Sequence, residues 1–189
     1  RFILSANYSS KIIEPIQSRT AVFRFSRIPE KAIQKRMKYI ANVEDIDLSE
    51  EAMEAIIYVA DGDMRRAINI LQAASALGEE ITENIIYQVS ATASPGEVKD
   101  MIKVAFDGEF EEARKKLRDL TINQGLAGDD ILQQIHREIY DLDIPEAMKV
   151  KLVDKIGEYD FRMVEGANER IQLEAALAHF SRLGKRLNS

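Results

Sequence analysis

Apolar side chains recur at helical spacing along most of the chain from residue 27 onward. The first segment with this pattern, residues 29–43, has Pro29 near its first position, where a helix tolerates proline. Three more short helices follow, with Ser49, Asp63 and Thr82 as their predicted N-caps. We therefore predict a small helical bundle over residues 27–91. The apolar positions of its first and third helices are Ala32, Ile33, Met37, Ile40 and Ala41, and Met64, Ala67, Ile68, Leu71 and Ala74.

A second helical region follows a short linker that contains Pro95 and Gly96. The pattern predicts five longer amphipathic helices, at about 95–107, 109–123, 128–142, 145–163 and 168–187. Glycines 108, 125, 128 and 166 separate them, and Asp129 and Asn168 stand at predicted cap positions. Helices of this length suit side-by-side packing, including packing against further copies of the chain. The predicted association surface near the C-terminus consists of Ile171, Leu173, Ala176, Leu177 and Phe180.

The first 26 residues have a different pattern. Phe2–Ala6 is an apolar run typical of a strand buried on both faces, and Ala21–Phe25 is a second predicted strand. Between them we predict a short helix, capped by Ser9 or Ser10 and ending near Pro15. A buried strand needs neighbouring strands that this chain does not supply, so we expect the chain to be the C-terminal part of a longer protein. The predicted fold class is mainly α, with a short β-α-β unit at its start.

Composition excludes several kinds of site. No apolar run is long enough to cross a membrane, and without cysteine the chain has neither disulfides nor thiolate metal ligands, which fits a cytoplasmic protein. The net charge of −6 argues against a surface built wholly for nucleic acid. The sequence has no phosphate-binding G-x-x-x-x-G-K-[ST] loop, and its two histidines, His136 and His179, stand on different helices. We expect no metal site, no tight ATP binding and no catalysis by this chain alone.

Two arginines occupy an unfavourable position. Arg65 and Arg66 directly follow the predicted start of the helix at Asp63. The first turn of a helix already carries partial positive charge, so each cation there is unfavourable by about 0.3–1 kcal/mol. A helix N-terminus is also a binding site for anions, and arginines at that place are understandable if an anionic ligand reaches it.

Three stretches resemble one family. They are "RFILSANYSSKIIEPIQSRTAVFRF", "GDMRRAINILQ" and "VEGANERIQLEAALA", and in this order they resemble the small subunit of replication factor C, the archaeal and eukaryotic sliding-clamp loader. The resemblance implies the end of an AAA+ ATPase domain at residues 1–26, a helical lid at 27–91 and a helical collar for oligomerisation at 92–189. It also implies that the P-loop, the Asp–Glu box and most DNA-facing helices lie upstream. Ala6 and Thr20 depart from it, since the family commonly has cysteines there.

The resemblance assigns roles to individual residues. Asn7 matches the sensor-1 residue near the γ-phosphate, and Arg19 matches the arginine finger that faces the nucleotide of the neighbouring subunit. Arg65 matches the sensor-2 arginine, which contacts phosphate bound in its own subunit, while Ser10 and Lys11 match positions that touch the DNA backbone. From the residues alone, Asn7 can be interpreted as a turn asparagine at the end of a strand, Arg19 as an exposed loop arginine and Lys11 as a solvated lysine.

The function implied by the resemblance belongs to a complex. The chain would be the lid and collar of a DNA-dependent ATPase that assembles through its collar with other small subunits and a large subunit. With ATP and Mg²⁺ in the full-length protein, the ring would load the sliding clamp onto primer–template DNA during replication. The alternative is a self-contained helical adaptor that binds proteins without nucleotide, although an adaptor has no use for the two strands. A helix-turn-helix DNA binder is disfavoured by the net charge and by the lack of a basic recognition helix.

Overall fold

The computed structural model describes residues 2–78 and 80–187, with side chains up to residue 185. Residues 1, 79, 188 and 189 lie outside the described part of the chain. The first residue of the predicted region 1–26 and the last two residues of the predicted region 92–189 are therefore not described. Over the described residues the chain forms ten α-helices, and the only strand-like pairing there is one parallel bridge between Leu48 and Ile81. The mainly helical fold class is confirmed.

The two predicted strands, Phe2–Ala6 and Ala21–Phe25, are not formed. Their side chains are among the most exposed of the described residues, with Ile3 at 99% and Phe25 at 97% exposure. A strand is stable only when a neighbour pairs with its backbone N–H and C=O groups, and no other part of residues 2–78 and 80–187 pairs with these segments.

The helix predicted between those segments divides into two pieces. A 3₁₀ turn covers Ser9–Lys11 without a side-chain cap, and helix α1 covers Glu14–Gln17. Pro15 therefore lies in the first turn of α1 and does not end the preceding helix, because a proline there removes only an N–H that the helix leaves unused.

The first bundle contains α2 (Glu30–Val43), α3 (Glu50–Ala60), α4 (Met64–Ser75) and α5 (Glu83–Val89). Ser49 caps α3 as predicted, since its side chain accepts from the N–H of Ala52 at 3.1 Å. Thr82 is at the N-cap of α5, but its side chain accepts no cap hydrogen bond. The buried core of this bundle is formed by residues of all four helices together with Ile81: Ile33, Met37, Ala52, Met53, Ala55, Ile56, Val59, Ala60, Ala67, Ile70, Leu71, Ala74, Ile81, Ile86 and Tyr87.

The second region contains α6 (Pro95–Phe106), α7 (Phe110–Arg118), α8 (Gly128–Ile139), α9 (Glu146–Val164) and α10 (Glu169–Leu187). One π-helical turn, Asp119–Asn123, extends α7. Ser94 and Glu97 form a capping box at the start of α6. These five helices match the prediction closely, and they enclose a core of their own between Ala93 and Leu183.

The start of α8 differs from the prediction. Asp129 is not its cap but lies inside the first turn, because the helix already begins at Gly128. The Gly128 N–H donates at 2.8 Å to the Glu169 carboxylate of α10. A Cβ at residue 128 would lie 2.7 Å from Glu169, so only glycine permits this approach. Asn168 is confirmed as a cap, accepting from the Ile171 N–H at 3.1 Å.

The predicted association surface of α10 is largely core, so that part of the prediction is wrong. Among its residues only Ile171 is exposed, at 63%. Phe180 stacks on Phe106 of α6 with ring centroids 6.0 Å apart, because α10 packs on the other helices of the second region with this face turned inward. The four residues with no exposed surface are Leu173, Ala176, Leu177 and Phe180.

Candidate functional site

The N-terminus of α4 is capped as the sequence predicts. One carboxylate oxygen of Asp63 accepts hydrogen bonds from the N–H groups of Arg65, at 2.8 Å, and Arg66, at 3.1 Å. The negative charge of Asp63 at this place offsets part of the unfavourable interaction between two cations and the helix dipole. Both arginine side chains are exposed, and neither forms an ion pair within residues 2–78 and 80–187.

A tight turn fixes where α4 begins. Asp61 and Gly62 both have positive φ, 46° and 83°, which brings the chain round between α3 and α4. Gly62 lies directly against Arg27, since a Cβ at residue 62 would be 2.6 Å from the Arg27 Cβ. The Ile28 N–H donates to the Gly62 carbonyl at 3.0 Å, and Arg27 forms an ion pair with Asp61. The turn is thereby held against the segment that precedes the bundle.

The other predicted site residues lie in the N-terminal segment, and all of them are exposed. Lys11 ends the 3₁₀ turn, with its Nζ 5.2 Å from the centre of the Tyr8 ring. The Gln17 side-chain amide donates to two backbone carbonyls, those of Ser9 at 3.0 Å and Ile12 at 2.6 Å, and so closes this loop on itself. Arg19 follows α1 in the turn that leads towards residue 21.

The described residues do not assemble these side chains into one pocket. No hydrogen bond or ion pair in the described part of the chain joins Asn7, Arg19 and Arg65 to one another. Ser10 and Lys11 neighbour each other in the 3₁₀ turn, as their sequence positions require. The candidate site thus consists of separate exposed groups, of which Arg65 has the most defined backbone setting.

The two histidines have local partners. His136 lies with its Nε2 3.3 Å from the Tyr140 hydroxyl, and the Arg182 guanidinium is 2.9 Å from Nδ1 of His179. Within the part of the chain that the structure describes, no cluster of three or more histidine, aspartate or glutamate side chains has the spacing to hold a metal ion. No described helix is long and apolar enough to cross a membrane.

Comparison with known proteins identifies both helical regions. Residues 35–76 match the family model "RCF1/5-like, AAA+ ATPase lid domain", and residues 93–179 match "Replication factor C C-terminal domain". The chain is 57% identical over 185 residues to the replication factor C small subunit of Thermococcus kodakarensis. It is 51% identical over 186 residues to that of Archaeoglobus fulgidus. The chain belongs to the replication factor C family.

The match covers nearly all of this replication factor C chain but only part of its relatives. It includes 98% of the chain in both comparisons, yet 21% of the Thermococcus relative and 58% of the Archaeoglobus relative. Arg65 falls inside the matched lid range, whereas Asn7, Ser10, Lys11 and Arg19 precede both family models.

A polar cluster between the replication factor C lid and collar was not predicted. The Tyr58 hydroxyl of α3 donates to Oε1 of Glu138 in α8 at 2.7 Å, and Lys99 Nζ lies 3.1 Å from the other oxygen. Burial and the hydrogen bond to Glu138 raise the pKa of Tyr58. The hydrogen bond to Glu138 likewise raises the pKa of Lys99. The signal in the sequence is a glutamate on the apolar face of α8, three residues after the buried Ile135.

Proposed function

We propose that this chain is the lid and collar of a clamp-loader small subunit that works in a ring. With ATP and Mg²⁺ bound in the full-length protein, the ring would load a sliding clamp onto primer–template DNA. The support comes from two matched domains in the family's order and from an Asp63-capped helix start that presents two guanidinium groups within the matched lid.

The geometry at α4 indicates how Arg65 would act as sensor 2. In the first turn of α4, the backbone N–H groups of Arg65 and Arg66 already donate to the Asp63 carboxylate, so these two groups are not available to a ligand. An anion here would therefore be bound by the guanidinium groups, which are exposed, cationic and without ion-pair partners in the described residues. These properties fit a phosphate group. Bound ATP would supply that phosphate, and Arg65 would tie the lid's orientation to it.

The remaining roles are part of the same proposal. Asn7 would help to position water near the γ-phosphate, and Arg19 would face the nucleotide of the adjacent subunit. Ser10 and Lys11 would contact the DNA backbone, and the collar would join the small and large subunits. Exposure of these four side chains is compatible with such contacts.

The experiment is a matched pair of substitutions in the full-length subunit. Arg65→Ala should weaken ATP binding about 10- to 100-fold, because a hydrogen bond to a charged group is lost with its charge. Arg66→Ala removes another exposed cation one position later and should have a much smaller effect. Neither change should lower the melting temperature, since a first-turn cation is removed. Equal ATP binding by both variants and the parent protein would contradict the sensor-2 role.

A further inference from the structure

The lid and collar are joined by a contact in which both carboxylate oxygens of Glu138 have a partner. Tyr58, near the end of α3, donates its hydroxyl to Glu138 of α8, whose side chain is only 3% exposed. Lys99 approaches the second carboxylate oxygen at 3.1 Å. Arg137 stacks on the Tyr58 ring at 4.8 Å and donates to the Tyr58 carbonyl at 3.4 Å.

This contact favours one arrangement of the two domains. A carboxylate taken out of water is tolerated only while hydrogen bonds and opposite charge satisfy it. If the lid tilted away, Oε1 of Glu138 would lose its donor, and the Tyr58 hydroxyl would lose its acceptor. An arrangement without the contact is therefore disfavoured unless water enters the site.

The position of Tyr58 is transmitted to Arg65 over a short distance in the chain. Helix α3 ends two residues after Tyr58, at Ala60, and α4 begins at Met64. The intervening turn has little freedom, because Gly62 is packed against Arg27 and the Gly62 carbonyl accepts a hydrogen bond from the N–H of Ile28. A rotation of α3 about its contact with the collar therefore carries the N-terminus of α4 with it.

We propose that Tyr58 and Glu138 are positioning residues that set the angle between lid and collar and thereby the place of Arg65. The expected effect on nucleotide binding rests on the proposed sensor-2 role of Arg65. The effect of Tyr58 and Glu138 on the angle between lid and collar does not depend on that role. Through this contact the collar, where the family match predicts assembly, would influence how firmly the lid holds nucleotide.

The first test measures geometry without nucleotide. The chain has no cysteine, so spin labels can be placed at two exposed lysines, Lys35 of α2 and Lys151 of α9, after substitution by cysteine. Tyr58→Phe keeps the ring and removes the hydroxyl, and it should broaden or shift the distance distribution between the labels. Tyr140→Phe is the control, because it removes the hydroxyl of an exposed collar tyrosine beside His136. Unchanged distances in Tyr58→Phe, with an unchanged melting temperature, would overturn the proposal.

The second test separates this inference from the proposed function. In the full-length subunit, Tyr58→Phe should weaken ATP binding by up to about tenfold. The double variant Tyr58→Phe/Arg65→Ala should bind no more weakly than Arg65→Ala alone, because Tyr58 acts through Arg65. If Arg65→Ala leaves ATP binding unchanged, the sensor-2 role fails while altered label distances still support the positioning contact. If Arg65→Ala weakens binding and Tyr58→Phe does not, the positioning of Arg65 is refuted.

Discussion

Gly184 provides a sharp test of the collar packing. It lies in α10 where that helix crosses the end of α6, and a Cβ there would lie 2.6 Å from the carbonyl carbon of Phe106 and 2.9 Å from its Cα. The Phe106 carbonyl oxygen would be nearer still. Carbon atoms in contact are normally about 3.5–4.0 Å apart, so the two helices would have to separate by at least about 1 Å. The obstacle is backbone, which cannot rotate away as a flexible side chain does. We expect Gly184→Ala to destabilise the collar.

The size of the effect follows from two opposing contributions. Forcing an extra methyl group into a packed core costs about 1–3 kcal/mol, and separating α6 from α10 also weakens the Phe106–Phe180 stacking. Alanine is a better helix former than glycine and returns at most about 1 kcal/mol. We therefore expect a net loss of about 2 kcal/mol in the free energy of unfolding. For a chain of this size, that loss lowers the melting temperature by about 4–8 °C.

Gly157→Ala is the matched control. Gly157 is also inside a helix, α9, but it is exposed and a Cβ there would meet nothing within 4 Å. This substitution should stabilise the chain by about 0.5–1 kcal/mol through helix propensity alone. Thermal unfolding followed by circular dichroism at a helix band measures both variants. If Gly184→Ala raised the melting temperature as Gly157→Ala does, the close crossing of α6 and α10 would be refuted.

Three further predictions concern the core, acid stability and the ring. Phe180 is buried and Ile171 is exposed, so Phe180→Ala should lower the free energy of unfolding by about 3–5 kcal/mol and Ile171→Ala should change it by no more than about 0.5 kcal/mol. If urea unfolding showed similar losses of stability for the two variants, the assignment of Phe180 to the core and Ile171 to the surface would be contradicted. Burial raises the pKa of Glu97, but hydrogen bonds from Gln124 and Ser94 outweigh it and lower the pKa. The stabilising contribution of this carboxylate is therefore complete above its unfolded pKa and is lost as the pH falls through its lowered folded pKa. The stability advantage over Glu97→Gln should shrink over that range in an unfolding series at several pH values. Arg19→Ala in the full-length subunit should leave ATP binding and ring formation intact and reduce ATP hydrolysis at the neighbouring subunit's site. Mixing this variant with subunits that lack the P-loop lysine should restore activity only where an intact arginine finger faces an intact ATP pocket. A loss of hydrolysis confined to the mutant's own pocket would refute action in trans.

Local signals in the sequence predicted the helices well. Ser49, Asp63 and Asn168 all act as caps, and glycines 108, 125 and 166 end helices with positive φ, because these effects depend on residues within one turn of each other. A strand depends on partners distant in the chain, so the apolar run Phe2–Ala6 was not sufficient evidence for a strand, and none is formed there. Periodicity likewise placed Phe180 on an apolar face but did not show that α6 of the same chain covers it.

The candidate site also contains residues that local sequence could identify and residues that it could not. Arg65 stood out from the sequence because its unfavourable place in a first turn is visible within three residues of Asp63. Tyr58 and Glu138 are separated by 80 positions, and nothing local pairs a tyrosine of one helix with a glutamate of another. A charged residue on an apolar stripe indicates a buried partner, but only the three-dimensional structure, which brings the Tyr58 hydroxyl to the Glu138 carboxylate, identifies which one.

The hydrogen bond between Glu169 and the Gly128 N–H also bears on the order in which the collar folds. The two residues are 41 positions apart, so the first turn of α8 is completed only after the chain has been synthesised as far as α10 and that helix has docked. Until then the Gly128 N–H is satisfied by water, and the start of α8 frays. In the folded protein, hydrogen exchange at this single amide would therefore report the undocking of α10 and not the local opening of α8.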